Sequence, residues 1–259
     1  MLTLKDRIGV TLHLKIANKE KTMQTAPPEV IAGLKEFDSA TIFNAVVESI
    51  GGSQGGTELN EKGGVPENYT GPALRCLLPE FGVAVGYAIT GEVTTNDPDS
   101  EPISWDDYYD AIADAGAPTI PVLKDVDTRP GRGACLGDGM AAIMKALGGT
   151  GAIVDGSVRD IGGIRAVGLP AWGTGLVPGH GVFNLVRMQS SVNVASLRIL
   201  PGELLIADED GCTKIPLGHD PAVVLEMAKE IRARETKGRA FTTGPDFTVE
   251  EWRRRRKSG

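Results

Sequence analysis

The stretch GGTGAIVDGSVRDIGGIRAVGLPAWG at 148–173 constrains the fold of this chain more than any other segment. Its apolar run at 152–154 lies between glycines and predicts a short buried strand, and the segment that follows begins like a helix and ends at a glycine and a proline. Asp155, Arg159 and Asp160 therefore come at the end of a strand. Polar residues in that position are favoured for a functional site in α/β proteins.

The chemistry of two of these residues is complementary. Arg159 offers a planar fork that matches a carboxylate, and Asp160 offers the hard oxygen that Mg²⁺ or Mn²⁺ prefers. Together they could hold an anionic substrate beside a divalent metal. The same spacing is also typical of residues that cap the next helix, with Asp160 near the positive end of its dipole. From spacing alone, capping is the more common role, and both interpretations stay open.

A second glycine-rich segment, TRPGRGACLGDGMAAIMKAL at 128–147, leads into an apolar-periodic helix. Closely spaced glycines at a helix entrance let backbone N–H groups approach an anion directly, and the dipole adds to the attraction. A carboxylate could dock there, although ordinary turns use glycines in the same way. The glycines fit neither G-x-G-x-x-G with an acidic residue at the expected distance nor G-x-x-x-x-G-K-[ST], so the segment does not indicate nucleotide binding.

Composition restricts the class of protein. The 259 residues are 41% hydrophobic, enough for a substantial core, and helical and strand patterns alternate, which predicts an α/β protein. A net charge of −7 argues against nucleic-acid binding, and the basic run Arg253–Lys257 is typical of a solvated tail or helix end. The predicted elements include strands at 73–78, 82–90 and 119–126, helices at 104–115 and 221–237, and a turn at 208–211.

Cysteine and hydropathy patterns predict a cytoplasmic protein. The three cysteines have scattered spacings, and so do the three histidines, so neither a disulfide framework nor a zinc site is indicated. Charges interrupt every apolar run near the N-terminus, and no stretch reaches membrane-spanning length. We expect three regions and one exposed loop: an N-terminal leader at 1–27, an α/β domain at 28–220, a C-terminal helix with a basic tail at 221–259, and the loop at 51–72.

Several segments together resemble one protein family. GAIVDGSVRD at 151–160, followed by the helix and GLPAWGTG, carries the most characteristic motif. The other matching segments are FDSATIFNAVVESIGG at 37–52, GVAVGYAITGEVTT at 82–95, LGDGMAAIMKALGGTGAIVDG at 136–156 and PGELLIADEDGCTKIP at 201–216. In this order they resemble the RraA-like family. That family contains 4-hydroxy-4-methyl-2-oxoglutarate aldolases, oxaloacetate decarboxylases and a protein regulator of ribonuclease E.

The resemblance implies a fold and an activity. The fold is the swivelling β/β/α arrangement, a layered α/β structure with a central β core flanked by helices. The activity is that of a metal-dependent lyase of the class II type, which cleaves a carbon–carbon bond of a 2-oxo acid through a metal-stabilised enolate and releases pyruvate, or decarboxylates oxaloacetate. The alternative is a non-catalytic regulator that binds a ribonuclease, because family membership does not determine activity.

The resemblance also implies roles for particular residues. Arg159 would bind the carboxylate and carbonyl side of a 2-oxo acid, and Asp160 would be the direct protein ligand to Mg²⁺ or Mn²⁺. The main-chain amides of Gly139 and Met140 would face pyruvate. Asp138 would hold metal-bound water and help remove a proton from the distal hydroxyl.

Other residues are candidates for the rest of the site. Arg132 could bind a second acidic group, and His180 is the one histidine that we place near the pocket, although a loop histidine is more often bonded to backbone. Relatives commonly carry a lysine near the distal substrate carboxylate, and Arg187 could take its place. Lys124 is the candidate for the alternative Schiff-base chemistry.

The family resemblance further implies assembly. Relatives form ring-shaped trimers, some of them doubled to hexamers, so we expect a homotrimer or hexamer. In aldolases of the family an acid from the C-terminal region enters the metal shell of a neighbouring subunit. Glu235 is the best-aligned candidate for that metal ligand and Glu230 is the second.

Overall fold

A computed structural model describes residues 25–52 and 68–258. Most of the predicted leader at 1–27 and most of the predicted loop at 51–72 lie outside the described residues. The strands are β1 Arg75–Cys76, β2 Ala84–Thr94, β3 Thr119–Asp125, β4 Ala134–Leu136, β5 Ala152–Asp155, β6 Ser157–Val158, β7 Ala171–Gly173, β8 Gly175–Leu176, β9 Asn184–Met188, β10 Val192–Val194, β11 Leu197–Ile199, β12 Leu204–Asp208 and β13 Gly211–Ile215. The helices are α1 Pro28–Leu34, α2 Ser39–Ser49, α3 Trp105–Ala113, α4 Asp138–Ala146, α5 Ile161–Val167, α6 Pro221–Thr242 and α7 Val249–Ser258.

A mixed sheet of eight strands organises the described residues, in the order β1-β7-β5-β3-β2-β12-β13, with β9 also paired to β2. The strands β2, β3, β5 and β7 are mutually parallel, whereas β1, β9, β12 and β13 pair antiparallel. Parallel neighbours require crossover connections, which α3, α4 and α5 supply. This mixed α/β fold with flanking helices confirms the predicted fold class.

Apolar side chains alternate between the two faces of the sheet. In β3, Val122 joins one buried cluster with the β10–β11 hairpin, and Leu123 joins another with residues of α3, α4 and α5. A third cluster holds the apolar faces of α1, α2 and α6 against β2, β12 and β13. The candidate site lies on the side of the sheet where α3, α4 and α5 pack against Leu123.

A small parallel sheet of β4, β6 and β8 extends from the main one. Strand β5 passes through Gly156 into β6, and β7 passes through Thr174 into β8. Gly156 and Thr174 thus each interrupt a strand between the two sheets. The N–H and hydroxyl of Thr174 donate to the carbonyl of Gly156 at 2.9 and 2.8 Å, which holds the two interruptions side by side. Because β6 continues from β5 into the small sheet and pairs there with β4, the loops that follow β4 and β6 lie together.

The observed elements confirm the main sequence predictions and extend some of them. The predicted buried strand is β5, and α3 begins after Ser104, whose hydroxyl accepts from the N–H of Asp106 at 3.1 Å. The helix predicted at 221–237 continues to Thr242, and the basic run lies in the separate helix α7. Within the described part of the chain, no helix is long and apolar enough to cross a membrane.

One buried ion pair secures the edge of the main sheet. The ammonium of Lys214 in β13 lies 2.9 Å from both carboxylate oxygens of Glu203 and donates to the carbonyl of Arg198 at 2.6 Å. The side chains of Lys214 and Glu203 are only 11% and 2% exposed. Glu203 also accepts from the N–H of Leu200 at 2.8 Å.

We expect Lys214→Met to lower the free energy of unfolding by roughly 3–5 kcal/mol, because the carboxylate of Glu203 would remain buried without its cation. The double variant Lys214→Met with Glu203→Gln is expected to lose less than Lys214→Met alone. Urea unfolding followed by circular dichroism measures both.

The exposed pair Lys229–Glu226, with side chains 53% and 70% exposed, provides the matched control. Lys229→Met is expected to change stability by less than about 1 kcal/mol. Equal losses for Lys214→Met and Lys229→Met would contradict the importance of burial for this pair.

Candidate functional site

Two helix N-termini meet at the end of the small sheet. One residue separates β4 from helix α4, which begins at Asp138, and two residues separate β6 from α5, which begins at Ile161. The N–H of Arg159 donates to the carbonyl of Leu136 at 3.0 Å, which holds the two loops side by side. Each loop therefore directs its polar residues toward the other.

A cavity of about 270 Å³ lies at this junction. Five of the predicted site residues line it, namely Asp138, Gly139, Met140, Arg159 and His180. These residues come from three segments that are distant in sequence, and the small sheet and its loops bring the three segments together. Asp160, the predicted metal ligand, does not line the cavity, but its carboxylate contacts Arg159, which does.

Asp160 lies at the start of α5 without using its side chain to cap the helix. It occupies the N-cap position of α5 with a left-handed backbone, φ 56°, and its side chain makes no capping hydrogen bond within the described residues. Its Oδ2 lies instead 3.2 Å from Nε of Arg159. A left-handed conformation is uncommon for residues other than glycine, and Asp is one of the residues that adopt it most readily. Asp160 thus keeps the predicted position at the N-terminus of α5, but among the described residues it lacks the side-chain hydrogen bond of a cap.

Two glycines leave room for the charged side chains. A Cβ on Gly137 would lie 3.1 Å from Oδ2 of Asp160 and 3.3 Å from Nε of Arg159. A Cβ on Gly163, in the first turn of α5, would lie 2.6 Å from Cβ of Asp138. The neighbouring Gly162 faces open space. The carboxylate of Asp138 thus lies over the first turn of α5 because Gly163 has no side chain.

A backbone hydrogen bond of His180 determines which of its ring nitrogens carries a hydrogen. Its Nδ1 lies 2.8 Å from the carbonyl oxygen of Gly181, and a carbonyl can only accept, so Nδ1 carries the hydrogen. In the neutral ring, Nε2 is then left with a lone pair that can accept a hydrogen bond. His180 therefore makes the backbone hydrogen bond expected of a loop histidine, and it also lines the cavity.

Besides Asp160, the predicted residues Arg132, Glu230 and Glu235 do not line the cavity. Arg132 is exposed and lies in the turn before β4. Glu230 and Glu235 lie on α6, whose buried face packs with α1 and α2 in a different cluster. For these two glutamates a role at the metal requires a second copy of the chain, and it stays a prediction.

Lys124 and Arg187 belong to a separate row of charges across the main sheet. The register pairs Arg187 with Glu92, Glu92 with Lys124, and Lys124 with Asp155. Lys124 forms an ion pair with Asp155, and Arg187 lies 3.4 Å from Glu92. By strand alternation Lys124 faces the same side as Val122, away from the helices that form the cavity. This placement disfavours Schiff-base chemistry at Lys124.

Sequence reasoning missed the aromatic wall of the cavity. Phe183 lines it and stacks on Trp105 with ring centroids 4.8 Å apart and planes 10° apart. Phe183 also has a left-handed backbone, φ 58°. Only its position three residues after His180 could have drawn attention to it, because the partner Trp105 lies far away in the sequence.

A larger open cleft of about 580 Å³ lies between the loops that follow β2 and β3. Its Asp127 accepts hydrogen bonds from Thr94, Thr95 and Asn96. Burial alone would raise the pKa of Asp127, but these hydrogen bonds outweigh it and lower the pKa. The carboxylate is thus used to join two loops, and we assign the smaller cavity as the site because the predicted residues converge there.

The cysteines are unsuited to act as nucleophiles. Burial is the main cause that raises the pKa of Cys76, Cys135 and Cys212 above the ordinary thiol value. Their thiols therefore stay protonated at neutral pH, whereas a cysteine nucleophile must be a thiolate. The reactive groups of the site are oxygen and nitrogen groups.

Comparison with known proteins places the chain among relatives. A family model described as RraA-like, Aldolase/RraA, matches residues 56–213. The chain is 29% identical over 110 residues to the Halalkalibacterium halodurans protein named "Putative 4-hydroxy-4-methyl-2-oxoglutarate aldolase", which covers 42% of this chain and 52% of that protein. The chain spans about half the length of the curated relatives that it matches.

Solved structures agree in fold. Streptomyces coelicolor RraAS2, described as an unusual member of the RNase ES inhibitor RraA protein family, matches with a TM-score of 0.61 and 23% identity over 83% of this chain and 98% of that chain. An uncharacterized protein from Pseudomonas syringae matches with a TM-score of 0.63 and 21% identity over 88% and 98%. Since the family model covers more than half of the sequence and the fold agrees, this chain belongs to the RraA-like family.

Proposed function

We propose that the protein is a divalent-metal-dependent lyase that cleaves a carbon–carbon bond of a 2-oxo acid and releases pyruvate. The observation that carries the proposal is the convergence of Asp138, Arg159 and the N-terminus of α4 on one cavity, with the carboxylate of Asp160 paired to Arg159. The family includes both aldolases and RraA regulators, so this finer assignment depends on the chemistry of the site.

The donor set suits Mg²⁺ or Mn²⁺. Within the described residues, no group of three or more His, Cys, Asp or Glu side chains could surround a metal. Mg²⁺ needs only one or two carboxylates because it keeps several waters. Asp160 would be its direct ligand, and Asp138 would hold metal-bound water. When bound, the ion supplies positive charge beside the oxygen that becomes an enolate.

The 2-oxo acid end of the substrate has two binding elements in the chain. The guanidinium of Arg159 matches the carboxylate as a planar fork. The first intrahelical bond of α4 runs from the N–H of Ala141 to the carbonyl of Gly137, at 3.0 Å, so the N–H groups of Gly139 and Met140 precede it and remain available. Both elements favour negative charge at this end of the cavity.

Retro-aldol cleavage then requires a base. A proton leaves the hydroxyl on C4, the C3–C4 bond breaks, and its electron pair forms the C2–C3 enolate as the carbonyl product departs. Protonation at C3 completes pyruvate. Asp138 takes the hydroxyl proton, and Nε2 of His180 can accept a hydrogen bond from the same hydroxyl. Decarboxylation of oxaloacetate forms the same enolate with loss of CO₂ and needs no such base.

We expect Asp160→Asn to lower Mg²⁺-dependent pyruvate release roughly 100-fold or more, because charge on the enolate would lose its counter-charge. A lactate-dehydrogenase-coupled assay over a panel of 2-oxo acids, with Mg²⁺ or with a chelator, measures this. Asp110→Asn, on the exposed outer side of α3, is the matched control and is expected to retain wild-type turnover. The regulator alternative predicts no metal-dependent pyruvate release from any panel member, and that outcome would overturn the proposal.

Asp138→Asn separates the two reactions. Retro-aldol cleavage is expected to fall about 100-fold or more because the hydroxyl proton loses its acceptor. Oxaloacetate decarboxylation is expected to fall less than about tenfold, since it needs only the stabilised enolate. The same coupled assay follows both. Equal losses in the two reactions would show that Asp138 is not the base.

Gly163→Ala tests the position of Asp138 without changing its charge. The new methyl would meet Cβ of Asp138 at 2.6 Å and displace the carboxylate, so retro-aldol kcat is expected to fall at least about tenfold. Gly162→Ala, one residue away and facing open space, is the control and is expected to leave kcat unchanged. If both variants behave alike in the coupled assay, the contact with Gly163 does not position the base.

A further inference from the structure

One peptide unit in the loop between β8 and β9 connects His180 to the main sheet. Its carbonyl, that of Gly181, lies 2.8 Å from Nδ1 of His180 and accepts the hydrogen that this nitrogen carries. Its N–H, that of Val182, donates to the carbonyl of Thr95 at 2.9 Å. The C=O and N–H of a planar trans peptide point in opposite directions. The bond to Thr95 therefore also fixes the direction of the oxygen that holds the imidazole ring.

Thr95 is itself held by a carboxylate. It is 1% exposed and follows β2, and both its N–H and its hydroxyl donate to Oδ2 of Asp127, at 2.6 and 2.8 Å. Asp127 also accepts from the hydroxyl of Thr94 and from the N–H of Asn96. Hydrogen bonds to an ionised carboxylate are stronger than those between neutral groups, so Asp127 fixes the backbone that donates to it. It does so from the larger cleft, outside the cavity that His180 lines.

The close packing of the loop on Thr95 requires a glycine at 181. Gly181 has a left-handed backbone, φ 66°, and a Cβ there would collide with the carbonyl oxygen of Thr95 and lie 2.9 Å from its carbon. Two residues earlier, the carbonyl of Gly179 accepts from the N–H of Ala134 in β4 at 2.8 Å. The loop is therefore bonded both to the small sheet and to the residue that follows β2.

The bond to Gly181 determines what the ring of His180 can do. A neutral imidazole carries its hydrogen on either nitrogen, and the partner of one nitrogen decides which tautomer is present. A fixed carbonyl beside Nδ1 keeps the hydrogen there, so Nε2 keeps its lone pair. In the proposed retro-aldol step, Nε2 is the atom that accepts a hydrogen bond from the substrate hydroxyl.

From these contacts we propose that Asp127 and Thr95 are positioning residues for His180, which hold its ring as the Nδ1–H tautomer through the peptide between Gly181 and Val182. Neither Asp127 nor Thr95 lines the cavity, so both act on a substrate only through the ring. The kinetic part of this inference rests on the proposed lyase function, whereas the tautomer is a property of the protein without substrate.

Nitrogen NMR of the imidazole rings tests the tautomer directly, because protonated and unprotonated ring nitrogens have well-separated shifts. The chain has three histidines, and the signals lost in His180→Gln identify those of His180. At alkaline pH, where imidazole is neutral, the wild type is expected to show an unprotonated Nε2. Asp127→Ala is expected to shift the ring toward the mixture of tautomers of a free imidazole. An Nε2–H ring in the wild type, or an unchanged ring in Asp127→Ala, would overturn the proposal.

Asp97→Ala is the matched control. It removes an exposed carboxylate of the same cleft, one that accepts from the N–H of Asp99 at 3.1 Å rather than from Thr95. We expect it to keep the wild-type tautomer. If Asp97→Ala and Asp127→Ala shift the ring equally, the effect comes from the charge of the cleft and not from the bonds to Thr95, and the proposal is wrong.

Kinetics of the two proposed reactions separate positioning from folding. Asp127→Ala and His180→Gln are each expected to lower retro-aldol kcat at least about tenfold, and to leave oxaloacetate decarboxylation, which has no hydroxyl to hold, within about twofold of the wild type. In the double variant the two losses are not expected to add, because Asp127 acts through the ring. Additive losses, or wild-type retro-aldol kcat in His180→Gln, would overturn the proposal. Pyruvate from no substrate in the wild type would overturn the lyase function and leave the tautomer to be judged by NMR.

Gly181→Ala interrupts the same path without changing Asp127. Its new methyl would collide with the carbonyl of Thr95, so the variant is expected to shift the tautomer of His180 as Asp127→Ala does. Gly179→Ala, two residues earlier in the loop, places its methyl in open space and is expected to keep the wild-type ring. A wild-type tautomer in Gly181→Ala would contradict the role of this peptide and overturn the proposal.

Discussion

The close approach of β5 to its neighbours at Gly156 is the constraint on which the site depends. A Cβ at this position would lie 2.9 Å from Cβ of Asp125 and 3.1 Å from Sγ of Cys135, so only glycine lets the strand pass from the main sheet into the small one. The carbonyl of Gly156 then accepts both hydrogen bonds of Thr174 from the neighbouring strand. These contacts place the loop after β6 beside the start of α4, where Arg159 and Asp138 line one cavity.

Much of this arrangement could be predicted from local sequence. The buried strand β5, the glycine-rich entrance to α4 and the hairpin turn between β12 and β13 are each encoded within a few residues, and all are observed. The grouping of Asp138, Arg159 and His180 came from a family resemblance, since nothing in their spacing predicts that they share a cavity. The left-handed backbone of Asp160 was not predictable either, because Asp adopts this conformation more often than most residues but only at a minority of its positions.

What sequence reasoning could not supply was long-range contact. Phe183 is held in the cavity wall by stacking on Trp105, about eighty residues earlier in the sequence. No local sequence pattern predicts such a pair. The same limit applies to Lys124 and Arg187, which looked available for chemistry until the strand register placed each beside a carboxylate. Register depends on the pairing of whole strands, so it decides which charges are neutralised and which stay available.

The two charged regions of the molecule differ in a way that bears on function. Across the main sheet, Arg187, Glu92, Lys124 and Asp155 alternate in sign, so each charge has an opposite neighbour within the chain. At the cavity, Arg159 pairs with Asp160 only through Nε, at 3.2 Å, and the terminal nitrogens of its guanidinium form no ion pair within the described residues. Among those residues the carboxylate of Asp138 likewise accepts no hydrogen bond. These groups stay in contact with solvent, with side chains 35% exposed for Arg159 and 40% for Asp160. Charged groups that line a cavity without full partners are expected where a ligand completes the set.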